Sequence, residues 1–375
     1  MSAESLGTNL LREVKVEGLD ELLRSLRSKH EAQKPRIYTC EPAIDKLLNV
    51  FAGARDRLSH HQHQNPVLEL VGSSPCSGKT QLLYYLIAQL LLPSTYEELR
   101  TGGKNTAVIL FDLSNSFSLL RLRDIILGSI CAHNPPNHPS LANKESLNTI
   151  IRDSLTHLHI FRPQSSSSFL STLQSLQKYI LNIHAHISAN RPVGAIALHS
   201  IDAFLHQDRL DDADAATLHS PATNNPAAAN LQQQPYQRFR DLVSHLRTLQ
   251  LTFSSPIIAT SSALASLSYQ RLPDGRSVPL LPSHLPAVWR NYVSARLICQ
   301  RETIRKFQHG VSVLEVAGRE AGLRREAVEK GRFVAMVDWS ESDGWREDVR
   351  GRVGAMRGDG EGIGFRVLGE GVFVG

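Results

Sequence analysis

The segment VLELVGSSPCSGKTQLLYYLIAQLLL, residues 67–92, limits the folds open to this chain more than any other stretch. An apolar run of strand length passes through a loop into Gly78-Lys79-Thr80, and from there into an apolar-rich stretch that reads as a helix over about 79–92. Strand, loop, Gly-Lys-Thr and helix in that order are the setting in which backbone N–H groups and a helix N-terminus hold phosphate. In such a loop Lys79 reaches the β- and γ-phosphates and the Thr80 hydroxyl ligates Mg²⁺. Gly78 supplies a close backbone approach that a Cβ obstructs. The expected cradle comprises Gly72, Ser73, Ser74, Cys76, Ser77, Gly78, Lys79, Thr80 and Gln81, with ATP and Mg²⁺ as the implied ligands.

The spacing departs from the usual pattern. Five positions before Gly78 stands Ser73, and the available glycine, Gly72, is one residue too early. The loop therefore carries an extra residue or a different turn. Pro75 gives no N–H donor to the cradle. Nucleotide binding with reduced affinity is the expectation.

Around this segment strands and helices alternate. TAVILFD (106–112), HLHIF (157–161), VGAIAL (193–198) and PIIAT (256–260) read as further strands after the one at 66–71. Helices are expected over about 117–131 and 236–250, and over a face marked by Phe169, Leu173, Leu176, Ile180, Ile183 and Ile187. Such alternation implies a mostly parallel sheet with helices on both faces. The first and fourth strands are expected to be neighbours at the cleft. After residue 286 the rhythm changes: ARLICQ, VSVLEV, FVAMVDW, GFRVL and GVFV read as short strands extending the sheet antiparallel at its edge. Residues 206–236, rich in Asp, Ala, Asn, Gln and Pro, read as a disordered insertion. The organisation expected is a leader helix and linker over 1–60, an α/β core over 61–300 and a β extension over 301–375.

Composition excludes several classes. The longest apolar candidate, Leu82 to Leu92, is interrupted by Tyr84, Tyr85 and Gln89, so no membrane span is expected. The N-terminus lacks a secretory layout, and an intracellular protein is expected. Cys40, Cys76, Cys131 and Cys299 form no C-x-x-C pair, so neither a zinc site nor a disulfide framework is indicated. The histidine-bearing loop at 54–65 reads as solvated surface rather than a metal site. Net charge is +5, yet residues 301–375 balance thirteen basic against thirteen acidic side chains, so this is not a basic DNA-binding tail. Loop 264–286 holds Tyr269, Arg271 and Arg276, a weak phosphate footprint that reads first as ordinary surface. Trp289 reads as a packing anchor rather than a base-stacking platform.

Several stretches together resemble the RecA-type ATPase core of eukaryotic recombinase paralogues. They are ESLGTNLLREV, LELVGSSPCSGKTQLLYYL, VILFDLSNSFSLLRL, IALHSIDAFL, AVWRNYVSARLICQ and GFRVLGEGVF. The resemblance implies a RecA-like α/β core with a C-terminal antiparallel β extension. It implies a subunit that supports homologous recombination and double-strand break repair in the nucleus, working in a complex with other recombinase paralogues. Contact with those paralogues would run through the N-terminal leader and the core edge, and contact with DNA mainly through the complex.

The same resemblance marks where catalysis is degenerate. Working relatives keep a glutamate two residues after the second-strand Asp, where this chain has Ser114 after Asp112. They keep an Asp at the end of the fourth strand, here His199, and a polar sensor after the fifth, here Ser262. Ser114 positions water poorly, and losing a general base costs about 10²–10⁴ in rate. His199 suits Mg²⁺ less than a carboxylate does. Asp112 remains to help through the metal, and Asp202, three residues past His199, is a displaced substitute. ATP binding with weak or absent hydrolysis is the expectation. An active P-loop ATPase or small-molecule kinase with its own substrate is the competing one, although no compact arginine-rich lid is visible.

Overall fold

The computed structural model describes residues 36–55, 65–218, 234–272, 275–302, 329–356 and 362–374, with positions 322 and 325. Residues 1–35 of the expected leader and linker, the strand expected at VSVLEV and most of the 54–65 loop lie outside these residues.

The helices are α1 (Pro42–Arg55), α2 (Lys79–Leu91), α3 (Leu119–His133), α4 (Pro139–Ala142), α5 (Lys144–Leu155), α6 (Ser166–Leu181), α7 (Leu205–Leu218), α8 (Gln234–Phe253), α9 (Ala287–Arg290) and α10 (Glu347–Met356). The strands of the first half are β1 (Val67–Gly72), β2 (Thr95–Tyr96), β3 (Leu99–Arg100), β4 (Ala107–Asp112), β5 (Leu158–Phe161) and β6 (Val193–His199). Those of the second half are β7 (Ile257–Ser262), β8 (Ser268–Arg271), β9 (Ser277–Leu280), β10 (Ala295–Arg301), β11 (Arg332–Val337), β12 (Ile363–Val367) and β13 (Val372–Val374). Nine of them form one sheet in the order β13-β12-β11-β10-β1-β7-β6-β4-β5. From β10 to β5 every pairing is parallel, and β11, β12 and β13 continue antiparallel.

The parallel strands are buried on both faces, which is why they read as nearly continuous apolar runs. Leu68, Leu70, Val108, Leu110, Ala195 and Ala197 face one core with α1, α2, α3 and α5. Their neighbours Val67, Ile109, Phe111, Ile196 and Leu198 face the other, against α6, α8 and Trp289. Trp289 is fully buried, a packing anchor as expected. The fold is therefore the RecA-like α/β arrangement: a mostly parallel sheet between helices with an antiparallel C-terminal extension.

One charged group is built into this core. Glu69 of β1 accepts a hydrogen bond from the Ser261 hydroxyl and lies 3.4 Å from Arg296 Nε of β10. Burial raises the Glu69 carboxyl, and Arg296 and Ser261 oppose the rise. Arg296 also pairs with Asp338 at 2.5 Å, which ties three neighbouring segments of the sheet together.

Several expectations need correction. The first and fourth strands are not neighbours, because β7 lies between β1 and β6. ARLICQ is β10, which runs parallel to β1 before the antiparallel strands begin. The helix expected to reach Ile187 ends at Leu181, leaving Ile183 and Ile187 exposed. Asn182 stops it, since its side chain accepts from His184 N at 3.2 Å and its carbonyl from Ala185 N at 2.9 Å. Residues 206–218, expected as disordered, form α7 from Leu205 to Leu218. Asp208 anchors that helix by accepting from Ser166 Oγ at 2.5 Å and pairing with Arg238 at 3.2 Å. Residues 219–233 lie outside the described set. Finally, the stretch 42–55, expected as linker, is α1, with Ile44, Leu47, Leu48 and Phe51 in the core.

Candidate functional site

The loop after β1 solves its extra residue by two left-handed turns. Cys76 has φ 59° and Gly78 φ 86°. At Gly78 the conformation and the space both call for glycine, because an added Cβ would stand 2.7 Å from Phe333 and 3.0 Å from Phe365. At Gly72 a Cβ would meet Ser77 Oγ at 2.4 Å and the Lys79 side chain at 3.2 Å. Gly72 thus serves as a floor under the loop, one position earlier than the usual spacing.

Gly78 is the N-cap of α2 and offers no side-chain cap; the first helical bond runs from Leu82 N to Gly78 O at 2.9 Å. The N–H groups of the first turn therefore point outward without a side-chain acceptor, a positive end for an anion. Nine of the thirteen residues of α2 are buried. At roughly 1.5–3 kcal/mol for each large apolar side chain, this burial holds the helix start rigid. Lys79 makes no hydrogen bond or ion pair among the described residues, and Ser77 Oγ is buried without a partner. A cleft of about 440 Å³ opens here, lined by residues 76–81, Arg121, Phe333 and residues 367–369. Gly72, Ser73 and Ser74 are not part of that lining, and Ser73 N donates weakly to the Cys299 carbonyl at 3.5 Å. Burial pushes the Cys299 thiol up to about 12, so it packs beneath the loop as an uncharged group.

Asp112 belongs to a different arrangement. It ends β4 directly opposite His199 at the end of β6. Oδ1 accepts from His199 Nδ1 at 3.1 Å and Ser116 N at 3.2 Å. Oδ2 accepts from Phe117 N at 3.1 Å and Arg162 Nε at 3.2 Å. Burial favours the protonated carboxyl, but the hydrogen bonds from His199, Phe117 and Ser116 outweigh it and hold Asp112 below the usual carboxylate range. Ser114 Oγ also approaches His199 Nδ1, at 3.2 Å. Serine and aspartate thus contact the same ring nitrogen, so no proton relay runs through the two nitrogens as in a hydrolytic triad.

Ser262, the third degenerate position, ends β7. Its N–H donates to Asp202 Oδ2 at 3.0 Å, which commits the displaced carboxylate to holding backbone. Loop 264–286 carries the β8–β9 hairpin, with Tyr269 exposed and Arg276 Nη1 bonded to the Gly354 carbonyl at 2.7 Å. All four cysteines are free, and no cluster suited to a metal ion occurs among the described residues. No helix among them is long and apolar enough to cross a membrane.

The structure brings Cys76 through Gln81 together at one cleft and leaves Asp112 in a separate cluster. It also adds Arg121 and Phe333 to the cleft and Arg162 to the cluster. The signal for Arg121 was slight, a basic residue in the first turn of the helix after β4. Phe333 had none, because it is contributed by β11, 255 residues beyond Gly78 in the chain.

No protein-family model matches the chain. It is a distant relative of the DNA repair protein XRCC2 homolog of Arabidopsis thaliana, with 22% identity over 268 residues, covering 63% of this chain and 68% of that protein.

Proposed function

We propose that the chain is a nucleotide-binding recombinase-paralogue subunit that supports homologous recombination and double-strand break repair while hydrolysing ATP slowly or not at all. The observation that carries this reading is the contrast at the strand ends. Among the described residues, a lysine and a helix N-terminus lack anionic partners at one, and the only carboxylate of the expected catalytic positions is saturated at the other. A triphosphate suits the first: Lys79, the N–H groups at the start of α2 and the Thr80 hydroxyl would hold its oxygens, and the buried Ser77 hydroxyl would gain a partner.

The fit to Mg²⁺ is poorer. Mg²⁺ prefers carboxylate, hydroxyl and water oxygens in near-octahedral array. Thr80 offers one, but Asp112 already accepts four hydrogen bonds and His199 offers nitrogen. No hydrolytic step is therefore assigned to a metal here. When bound, the ion would supply charge neutralisation at the phosphates, with Thr80 as its protein ligand.

The role in repair rests on the distant relationship to a DNA repair protein and on the RecA-like fold. The chain would act in the nucleus beside other recombinase paralogues and meet DNA chiefly within that complex. Calorimetric titration with ATP tests the binding reading: saturable binding by the native chain, lost in Lys79→Ala, is expected. Phosphate release from native protein should match that of Lys79→Ala. Turnover that disappears on that substitution instead favours the active-ATPase reading. Purification from cells without any recombinase paralogue would overturn the role in a complex.

A further inference from the structure

Arg121, in the first turn of α3, reaches three acceptors at once. Its Nε donates to Gln81 Oε1 at 2.8 Å, its Nη1 to the Gly369 carbonyl at 2.6 Å and its Nη2 to the Leu368 carbonyl at 2.7 Å. Gln81 lies in α2, two residues after Lys79, while 368 and 369 begin the tight turn between β12 and β13. That turn is closed by Leu368 N donating to Gly371 O at 2.9 Å. One side chain therefore ties the phosphate-end helix to the last hairpin of the sheet across the mouth of the cleft. The turn has a second seat on α3, at Gly128, where an added Cβ would stand 2.3 Å from the Glu370 carbonyl oxygen.

The chemistry of this contact suggests that it changes with the contents of the cleft. All three acceptors are uncharged, and Arg121 has no carboxylate partner among the described residues. A full negative charge attracts a guanidinium more strongly than a carbonyl dipole does, and anionic oxygens often accept from it in bidentate fashion. Arg121 lines the same cleft as Lys79, which also lacks a partner. An anion seated at Lys79 is thus a better acceptor for Arg121 than two peptide carbonyls.

We infer that Arg121 is a latch between the cleft and the C-terminal hairpin. With the cleft empty it pins residues 368–371; with a polyphosphate bound it turns to the anion and frees the turn. The inference rests on the nucleotide reading and adds regulation to it. A ligand shifts such an equilibrium only by its differential affinity for the two states, and the anion supplies that difference. The coupling is reciprocal: whatever holds the 368–371 turn in place weakens binding in the cleft by the same factor. Occupancy would then be felt at β13, the end of the sheet opposite β5.

Hydrogen exchange of the full chain, with ATP, with inorganic triphosphate and without ligand, tests the latch, with binding measured separately by calorimetry. Either ligand should speed exchange in peptides covering 365–374 by on the order of tenfold, the worth of one or two lost hydrogen bonds. Arg121→Ala should exchange at the fast rate with or without ligand, and Arg121→Lys, which cannot fork to both carbonyls, at an intermediate rate. If ATP binds and exchange at 365–374 stays unchanged, the latch is wrong and the nucleotide reading stands. If neither ligand binds, the nucleotide reading and the switch fall together. Unchanged exchange in Arg121→Ala would sink the pin itself in either case.

Discussion

At the end of β1 the chain gathers positive groups that meet no anion among the described residues: Lys79 is unpaired there, the first turn of α2 lacks a side-chain cap and Arg121 rests on neutral carbonyls. At the ends of β6 and β4, two and three strands away in the same sheet, the reverse holds. One carboxylate is met by four donors, and the serine and histidine beside it contact each other. Unpaired charge at a cleft is tolerated where a ligand completes it, whereas a saturated buried cluster stabilises what is already there. The two strand ends therefore divide between binding and structure.

Removing the carboxylate should show the largest effect. Asp112→Ala leaves His199 and two backbone N–H groups without their acceptor and should cost about 4 kcal/mol of unfolding free energy, read by chemical denaturation. A loss below about 1 kcal/mol would mean that the cluster contributes little to the fold and would break the contrast.

Acid should separate this cluster from a second closed one. His159 of β5 is buried, with Nδ1 3.1 Å from the Tyr179 hydroxyl and Nε2 2.9 Å from Ser188 Oγ. Burial, together with nearby His186 and His157, lowers its pKa to about 4. Because the folded value lies below the unfolded value of about 6.5, the unfolded chain binds the proton first. The resulting loss of stability should begin below pH 6.5 and be complete near pH 4, on the order of 3 kcal/mol. His159→Gln should remove that part of the profile. Asp112, held below the usual carboxylate range, gives stability that is present above its unfolded pKa and lost only as pH falls through its lower folded value. The two clusters should therefore fail in sequence, histidine first.

Gly78→Ala probes the open end. The new Cβ meets Phe333 and Phe365 in a left-handed conformation, so a loss of about 2 kcal/mol is expected in thermal or chemical unfolding. The smallest global effect should come from Lys79→Ala. Stability should stay within about 0.5 kcal/mol while ATP affinity falls at least roughly tenfold, measured by calorimetry. A Lys79→Ala protein that unfolds as easily as Asp112→Ala would erase the distinction between the two ends.

Much of the sheet was legible because its signals are local. Residues 67–72 and 107–112 are mostly apolar runs, interrupted by Glu69 and ended by Asp112, and Gly78-Lys79-Thr80 marks the start of α2 from its immediate neighbours. What stayed hidden depends on distant pairing. Arg121 and the turn it holds are 247 and 248 residues apart. The insertion of β7 between β1 and β6 follows from sheet order, which no window of sequence encodes. The Asp- and Ala-rich stretch at 206–218 suggested disorder by composition, yet its alanines and leucines favour helix, and Ser166 and Arg238 give Asp208 its anchors. The degenerate positions were readable as residue types, but their joining through one nitrogen of His199 was not.

The placement of β1 at the middle of the sheet bears on how the chain is made. Glu69 must wait for Ser261, 192 residues later, and the Val67 amide for the Ser294 hydroxyl, 227 residues later. A nascent chain leaving the ribosome would carry both edges of this buried strand bare until β7, at Ile257–Ser262 of the 375 residues, had been synthesised. Such non-local pairing slows folding and exposes adhesive intermediates, so this protein should depend on chaperones while it is being translated.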